Sequence, residues 1–149
     1  MNDDTRKIVS MFKETWHKMD SLYDLYAKSV GLSFTTLIVL ELLHNSSDVY
    51  TQKDVCERLG LPKQLVNSVM KHLWEQGYVE LKEAKDRRNK DIIITDEGKK
   101  YIIGILKPLE DLELAAWESF SAEEIISYAK ATEKYVKAFE DAMESTRDI

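Results

Sequence analysis

TQKDVCERLGLPKQLVNSVMKHL, residues 51–73, reads as two short helices joined by a tight turn at Gly60. Val55 and Leu59 fall on one inner face, Val66 and Val69 on the other, and Leu61 plugs the elbow. Two helices crossing steeply over a turn of three or four residues need that spacing. Cys56 takes a small-residue core site, where a larger side chain would hold the helices apart and where thiols are usually inert. The outer face of the second helix is left with Lys63, Gln64, Asn67, Ser68 and Lys71, donor and acceptor types suited to phosphates and to base edges in a major groove. A wet amphipathic face is the plain alternative. No Asp or Glu occurs between Lys63 and Lys71, however, and a merely solvated face in so acidic a chain would mix signs.

Outward from this unit the punctuation is local. Thr51 opens the first of these helices with a T-x-x-D capping pattern to Asp54. Pro62 is expected in the first turn of the next, where its missing N–H costs nothing, and Gly77 closes that helix. The period then changes. Tyr78, Val79 and Leu81 lead into KEAKDRRNKD, residues 82–91, and on to Ile92, Ile93 and Ile94, which makes a β-hairpin with a charged tip. A hairpin directly after a helix-turn-helix is a wing. Thr95 or Asp96 caps a fifth helix in which Pro108 should cause a kink or local break, and S-A-E-E at 121–124 is a capping box for a sixth. Upstream, apolar residues from Ile8 to Tyr26 recur at helical spacing over about residues 4–28, and Gly31 breaks that helix. Ser33 caps a second helix, apolar almost all round from Leu37 to Leu43 and therefore expected to be buried. HNSSD, 44–48, is expected as a loop, and Val49–Tyr50 as a very short strand.

The chain is thus expected to be mainly α with a small β-hairpin, with about six helices and two to three short strands. A winged helix-turn-helix at 48–95 is flanked by a helical layer from 1–47 and 96–149. That layer carries more apolar surface than one small winged helix can cover. Ile8, Phe12, Phe120, Tyr128, Tyr135 and Phe139 are expected to pair two copies, and a two-fold axis suits a two-fold binding site.

A length of 149 residues fits one domain or one compact unit with a small appendage, and one cysteine excludes an internal disulfide framework. The N-terminus is amphipathic rather than a signal peptide, and no apolar run reaches a membrane span, so a cytoplasmic protein is expected. The net charge of −6 argues against DNA until its distribution is read. Residues 51–95 carry nine basic and seven acidic side chains, whereas 96–149 carry seven and thirteen. The positive charge is concentrated where phosphate contact would need it. His17, His44 and His72 lie in three elements with no ligand spacing around them, so no metal and no cofactor is expected. No nucleophile–base pair or phosphate loop favours an enzyme. His17 and His44 read as surface residues before they read as neighbours across a cavity.

The order of elements, with the stretches TQKDVCERLGL, MKHLWEQGYV and DRRNKDIIITDEG, resembles the MarR family of bacterial winged-helix regulators over essentially the whole chain. Particularly specific is the D-x-R of the wing, Asp86-Arg87-Arg88, followed by strand residues and T-x-x-G. The resemblance implies that Arg88 enters the minor groove, that Asp86 orients it, and that Arg87 and Lys90 lie near the backbone. With Thr51, Gln52, Lys53 and the outer face of the second helix, these complete the DNA-binding candidates. Many members have an arginine where this chain has Ser68, so a bidentate guanine contact is lacking there. The resemblance further implies a homodimeric regulator, more often a repressor, on a pseudo-palindromic operator, with recognition helix 62–76 in the major groove and wing 82–91 in the minor. It also implies an effector pocket for small aromatic compounds, for which Trp16, His17, Tyr23, Tyr26 and His44 are candidates beside the plainer reading of aromatic core. A protein–protein module built on the same fold is the competing function.

Overall fold

In a computed structural model, residues 2–46, 48–83 and 90–147 are described. The elements are α1 (Asp3–Ser29), α2 (Phe34–Asn45), α3 (Gln52–Leu59), α4 (Lys63–Glu75), β1 (Val79–Glu83), β2 (Lys90–Ile94), α5 (Asp96–Trp117) and α6 (Ala122–Arg147). They fall into two compact units, 1–107 and 108–149.

In the first unit the helix ends follow local chemistry. Asn2 caps α1 by accepting the Thr5 N–H at 2.8 Å, and Asp3 and Asp4 sit at the positive end of the helix dipole. At the other end Gly31, with φ of 75°, takes the left-handed position. There the Leu32 N–H reaches the Ala27 carbonyl at 2.8 Å and the Gly31 N–H reaches that of Lys28 at 3.1 Å, a Schellman closure. Ser33 caps α2 as expected. Leu37, Val39, Leu40 and Leu43 of α2 are buried, and α1, α3 and α4 all pack on this helix. Val55, Val66, Met70, Leu73, Val79, Ile92, Ile102 and Leu106 complete the core around it.

Four expectations need correction. Helix α2 runs through His44 and Asn45, so the loop begins two residues later than expected. Val49–Tyr50 is not a strand. Thr51 makes a single bridge to Asp91, and the Ile92 N–H reaches the Tyr50 carbonyl at 2.8 Å, which ties the segment to the hairpin without a ladder. Pro62 is the N-cap of α4 rather than its first helical residue, with ψ of 139°, and its carbonyl accepts from Leu65 and Val66. Finally, α5 is helical without interruption through Pro108, so no break forms there.

The second unit comprises the end of α5 and α6. Ser121 and Glu124 form the expected capping box, with the Ser121 N–H donating to the Glu124 carboxylate at 2.8 Å and the Glu124 N–H to the Ser121 hydroxyl at 3.2 Å. Trp117 stands 5.1 Å from Phe120 and 5.9 Å from Tyr128, an aromatic cluster at the turn between the helices. An open groove of about 1000 Å³ follows α6, floored by Ile125, Tyr128 and Val136 and edged by Glu133, Glu140, Asp141 and Glu144. Among the described residues no single helix is long and apolar enough to cross a membrane. Helices α1 and α2 reach such a length only when joined across a 90° bend.

Candidate nucleic-acid interface

Helix α3 begins with a complete capping box: the Thr51 N–H donates to Asp54 at 2.7 Å and the Asp54 N–H to the Thr51 hydroxyl at 3.3 Å. The backbone N–H and hydroxyl of Thr51, both donating to the carboxylate, hold the Asp54 pKa below its ordinary value. The elbow needs Gly60. Its φ of 61° turns the chain so that the Leu61 N–H closes on the Cys56 carbonyl at 3.0 Å, where an L side chain would be strained. The crossing then buries Val55, Val66, Val69 and Met70, with Leu59 and Leu61 half-buried.

That packing fixes which side of α4 faces out. Lys63, Gln64, Asn67, Ser68 and Lys71 are all exposed. Lys71 pairs with Glu75 one turn away at 3.7 Å, a solvent-exposed contact worth little by itself. Trp74 shares this side of the helix, seven residues beyond Asn67, and is 57% exposed. Sequence reasoning passed over it, although the seven-residue spacing from Asn67 was the available signal. His72 is exposed.

Three candidate lysines come together in space. A cleft of about 590 Å³ is lined by Gln52, Lys53, Cys56, Glu57, Lys63, Leu81 and Lys90. The lysines arrive from α3, from the start of α4 and from the first residue of β2, and a single carboxylate, Glu57, stands among them, 3.6 Å from Lys53. Cys56 corrects its expected place: it is a free, half-buried thiol on the cleft wall, because the small side chain leaves α3 open towards the hairpin. Thr51 and Gln52 are half-buried and Lys53 is exposed. The strands pair antiparallel in the register Val79↔Ile94 to Glu83↔Lys90. Asp86, Arg87 and Arg88 lie outside the described residues.

The base of the hairpin is tied to α4 and α5 together. The Thr95 hydroxyl donates to the Gly77 carbonyl at 2.8 Å, with that of Tyr78 3.2 Å away, and accepts the Gly98 N–H at 2.9 Å. A side chain at Gly98 would place its first carbon 1.9 Å from the Tyr78 carbonyl oxygen, which is the physical meaning of the T-x-x-G spacing. Tyr78 and Tyr101 stack at 4.1 Å, and burial pushes the Tyr101 phenol pKa up. Sequence reasoning assigned Thr95 a cap only.

The candidate effector residues lie on α1 and α2. The Tyr26 hydroxyl donates to the Ile105 carbonyl at 2.6 Å, Trp16 packs edge-on against Phe12 at 5.6 Å, and His17 and His44 are exposed. Trp16, His17, Tyr23, Tyr26 and His44 are absent from the walls of the α6 groove and the lysine cleft. The candidate dimer residues are open to solvent in the single chain: Ile8 is 65% exposed, Phe12 39%, Phe120 46%, Tyr128 41%, Tyr135 48% and Phe139 56%. No group of three or more potential metal ligands occurs among the described residues.

Comparison with known proteins gives a consistent answer. A model of the MarR family matches residues 30–89. The HTH-type transcriptional regulator SarZ of Staphylococcus aureus is 26% identical over 121 residues, 80% of this chain and 78% of SarZ. The structure of NMB1585, a MarR family regulator from Neisseria meningitidis, superposes with a TM-score of 0.79 at 22% identity, covering 98% of this chain and 99% of that one. MepR of S. aureus, in a complex with DNA, superposes with a TM-score of 0.69 at 19% identity over 87% of this chain and 96% of its own. These two likenesses concern the fold.

Proposed function

We propose that the chain is a winged-helix transcriptional regulator of the MarR family, whose model matches residues 30–89, and that it acts as a homodimeric repressor on a pseudo-palindromic operator. The carrying observation is the convergence of Lys53, Lys63 and Lys90 on one cleft at the start of α4, whose outer face carries no carboxylate from Lys63 to Lys71. A row of cations flanking donor and acceptor side chains is what a helix needs to lie in a major groove, with phosphates held at its edges. In this reading residues 48–95 read DNA, with Arg88 in the minor groove and Asp86 orienting it, while 1–47 and 96–149 form the dimer. The helical parts are suited to that. Exposed apolar surface supports a second copy as the occupant of the α6 groove: Tyr128 and Val136 lie open on its floor, and Ile8, Met11 and Phe12 lie open on α1. Repression then follows from occupancy alone, since a dimer across two half-sites covers the duplex.

Selection of bound duplexes from a random pool tests the reading, and a self-complementary motif is expected. On that motif, affinity should fall steeply with salt. Replacing Lys53, Lys63 and Lys90 together by Ala removes six lysines from the dimer and should flatten the log–log salt slope by about five, roughly 0.9 for each phosphate left without its lysine. Arg88→Ala should cost about 1–3 kcal/mol, most where the flanking sequence is A·T-rich. A chain that enriches no motif and binds without salt dependence would instead be a protein–protein module.

A further inference from the structure

Helix α5 begins directly after the hairpin, at Asp96. Its first turn is fastened to the end of α4 by hydrogen bonds, a close backbone approach and a ring stack. The Thr95 hydroxyl bridges the Gly77 carbonyl and the Gly98 N–H, and the Thr95 N–H reaches the Tyr78 carbonyl at 3.1 Å. Gly98 lets the helix approach the Tyr78 backbone to a distance no side chain would permit, and the Tyr78 and Tyr101 rings lie 10° from parallel. On the other side, Gly77 and Tyr78 are the closure of α4 itself: their N–H groups end the helix on the carbonyls of Trp74 and Leu73 at 3.0 and 2.9 Å. The hydroxyl of one residue therefore joins the last turn of the recognition helix, the root of the wing and the first turn of α5.

We propose that Thr95 is a positioning residue for DNA binding, its hydroxyl locking the end of α4 to the start of α5 so that the recognition helix is held in one orientation on the body of the first unit. The proposal rests on the reading of the chain as a dimeric DNA binder. Thr95 itself is half-buried at the hairpin root, away from the lysine cleft, and acts through α4. Two recognition helices held by stiff joints can serve only half-sites at one separation and rotation. Loosening the joint gives each helix freedom to follow a displaced half-site, at the cost of ordering when the site is ideal. The hydroxyl thus governs spacing discrimination rather than contact with bases.

The test compares the selected operator with the same duplex carrying one extra central base pair, which turns one half-site by about 35° relative to the other. The wild-type chain is expected to lose about tenfold or more in affinity on that insertion, because simultaneous engagement fails. Thr95→Ser, which keeps the hydroxyl, should discriminate as the wild type does. Thr95→Val, which keeps the shape without the hydroxyl, should lose about threefold or less. A thermal melt establishes that each variant is folded at the assay temperature. If Thr95→Val is not, Tyr101→Ala weakens the same joint by removing the stack and is expected to flatten the discrimination likewise. Wild-type discrimination in the folded Val variant (or in Tyr101→Ala where it stands in) overturns the proposal, as does equal flattening by Thr95→Ser. A wild-type chain that selects no operator overturns the DNA-binding reading before any variant is made, so the two failures are told apart.

Discussion

Residues 1–107 and 108–149 are both built from long helices, yet only the first unit owns a core. Every buried apolar residue among those described lies in the first unit except Leu109. In the second, Phe120, Ile126, Tyr128, Tyr135, Val136, Phe139 and Met143 are each more than 40% exposed, and α6 buries nothing fully. Apolar faces are buried on α2 and α4 of the first unit and left open along α6, as they are on the outer side of α1. In the proposed dimer that apolar surface is what a second copy would cover. In the first unit stability comes from within the chain; in the second, on the dimer reading, it would depend on the copy that covers α6.

The largest expected effect tests the first half of that contrast. Leu40 is fully buried in the centre of α2, and Leu40→Ala should cost about 2–5 kcal/mol in urea unfolding, lowering the midpoint at every protein concentration. A smaller loss would mean that the core around α2 collapses to fill the void. Next comes the second half. Phe139→Ala should raise the dimer dissociation constant about tenfold to a hundredfold, corresponding to roughly 1–3 kcal/mol, read by sedimentation equilibrium. Its stability defect should be clear in dilute protein and fade in concentrated protein. A penalty independent of concentration would break the contrast, because it would place Phe139 in a core of its own chain.

The smallest effect sharpens the account of the helix-turn-helix. Asp54→Asn should destabilise by about 1 kcal/mol or less at neutral pH, through a weakened capping box. The folded pKa of Asp54 is lowered below 3.8, so the contribution of its carboxylate is fully present above that value and is lost as pH falls through the lower folded one. Wild type and variant should therefore begin to converge in thermal melts as pH falls below about 4, and meet only below the lowered folded pKa.

The caps and turns were legible because their chemistry is local. Thr51 with Asp54, Ser121 with Glu124, Ser33 with Thr36, and the glycines at 31, 60 and 77 each act within a few residues of themselves. So was the outward face of α4, since helical period separates Val66, Val69, Met70 and Leu73 from Lys63, Gln64, Asn67, Ser68 and Lys71. Errors arose where a local rule met a distant partner. Val49–Tyr50 has strand chemistry, but the hairpin meets it at one bridge, leaving no ladder for a strand. Pro108 has breaker chemistry, yet α5 continues, so the missing hydrogen bond was not enough to end it. Cys56 has the size of a core residue but stands at the edge of a cleft, which only the placement of Leu81 and Lys90 reveals.

The sequence by itself determined the order of elements, their ends and the side each helix turns to water, because hydrophobic period and capping depend on neighbours along the chain. Tertiary structure alone decided three things. It brought Lys53, Lys63 and Lys90 to one cleft, set the Tyr26 hydroxyl on the Ile105 carbonyl across 79 positions of sequence, and made Thr95 a tie between α4 and α5 rather than a cap. Each is a meeting of residues far apart in the chain. The period of a helix says which way a side chain points, but the packing of the core says what it points at.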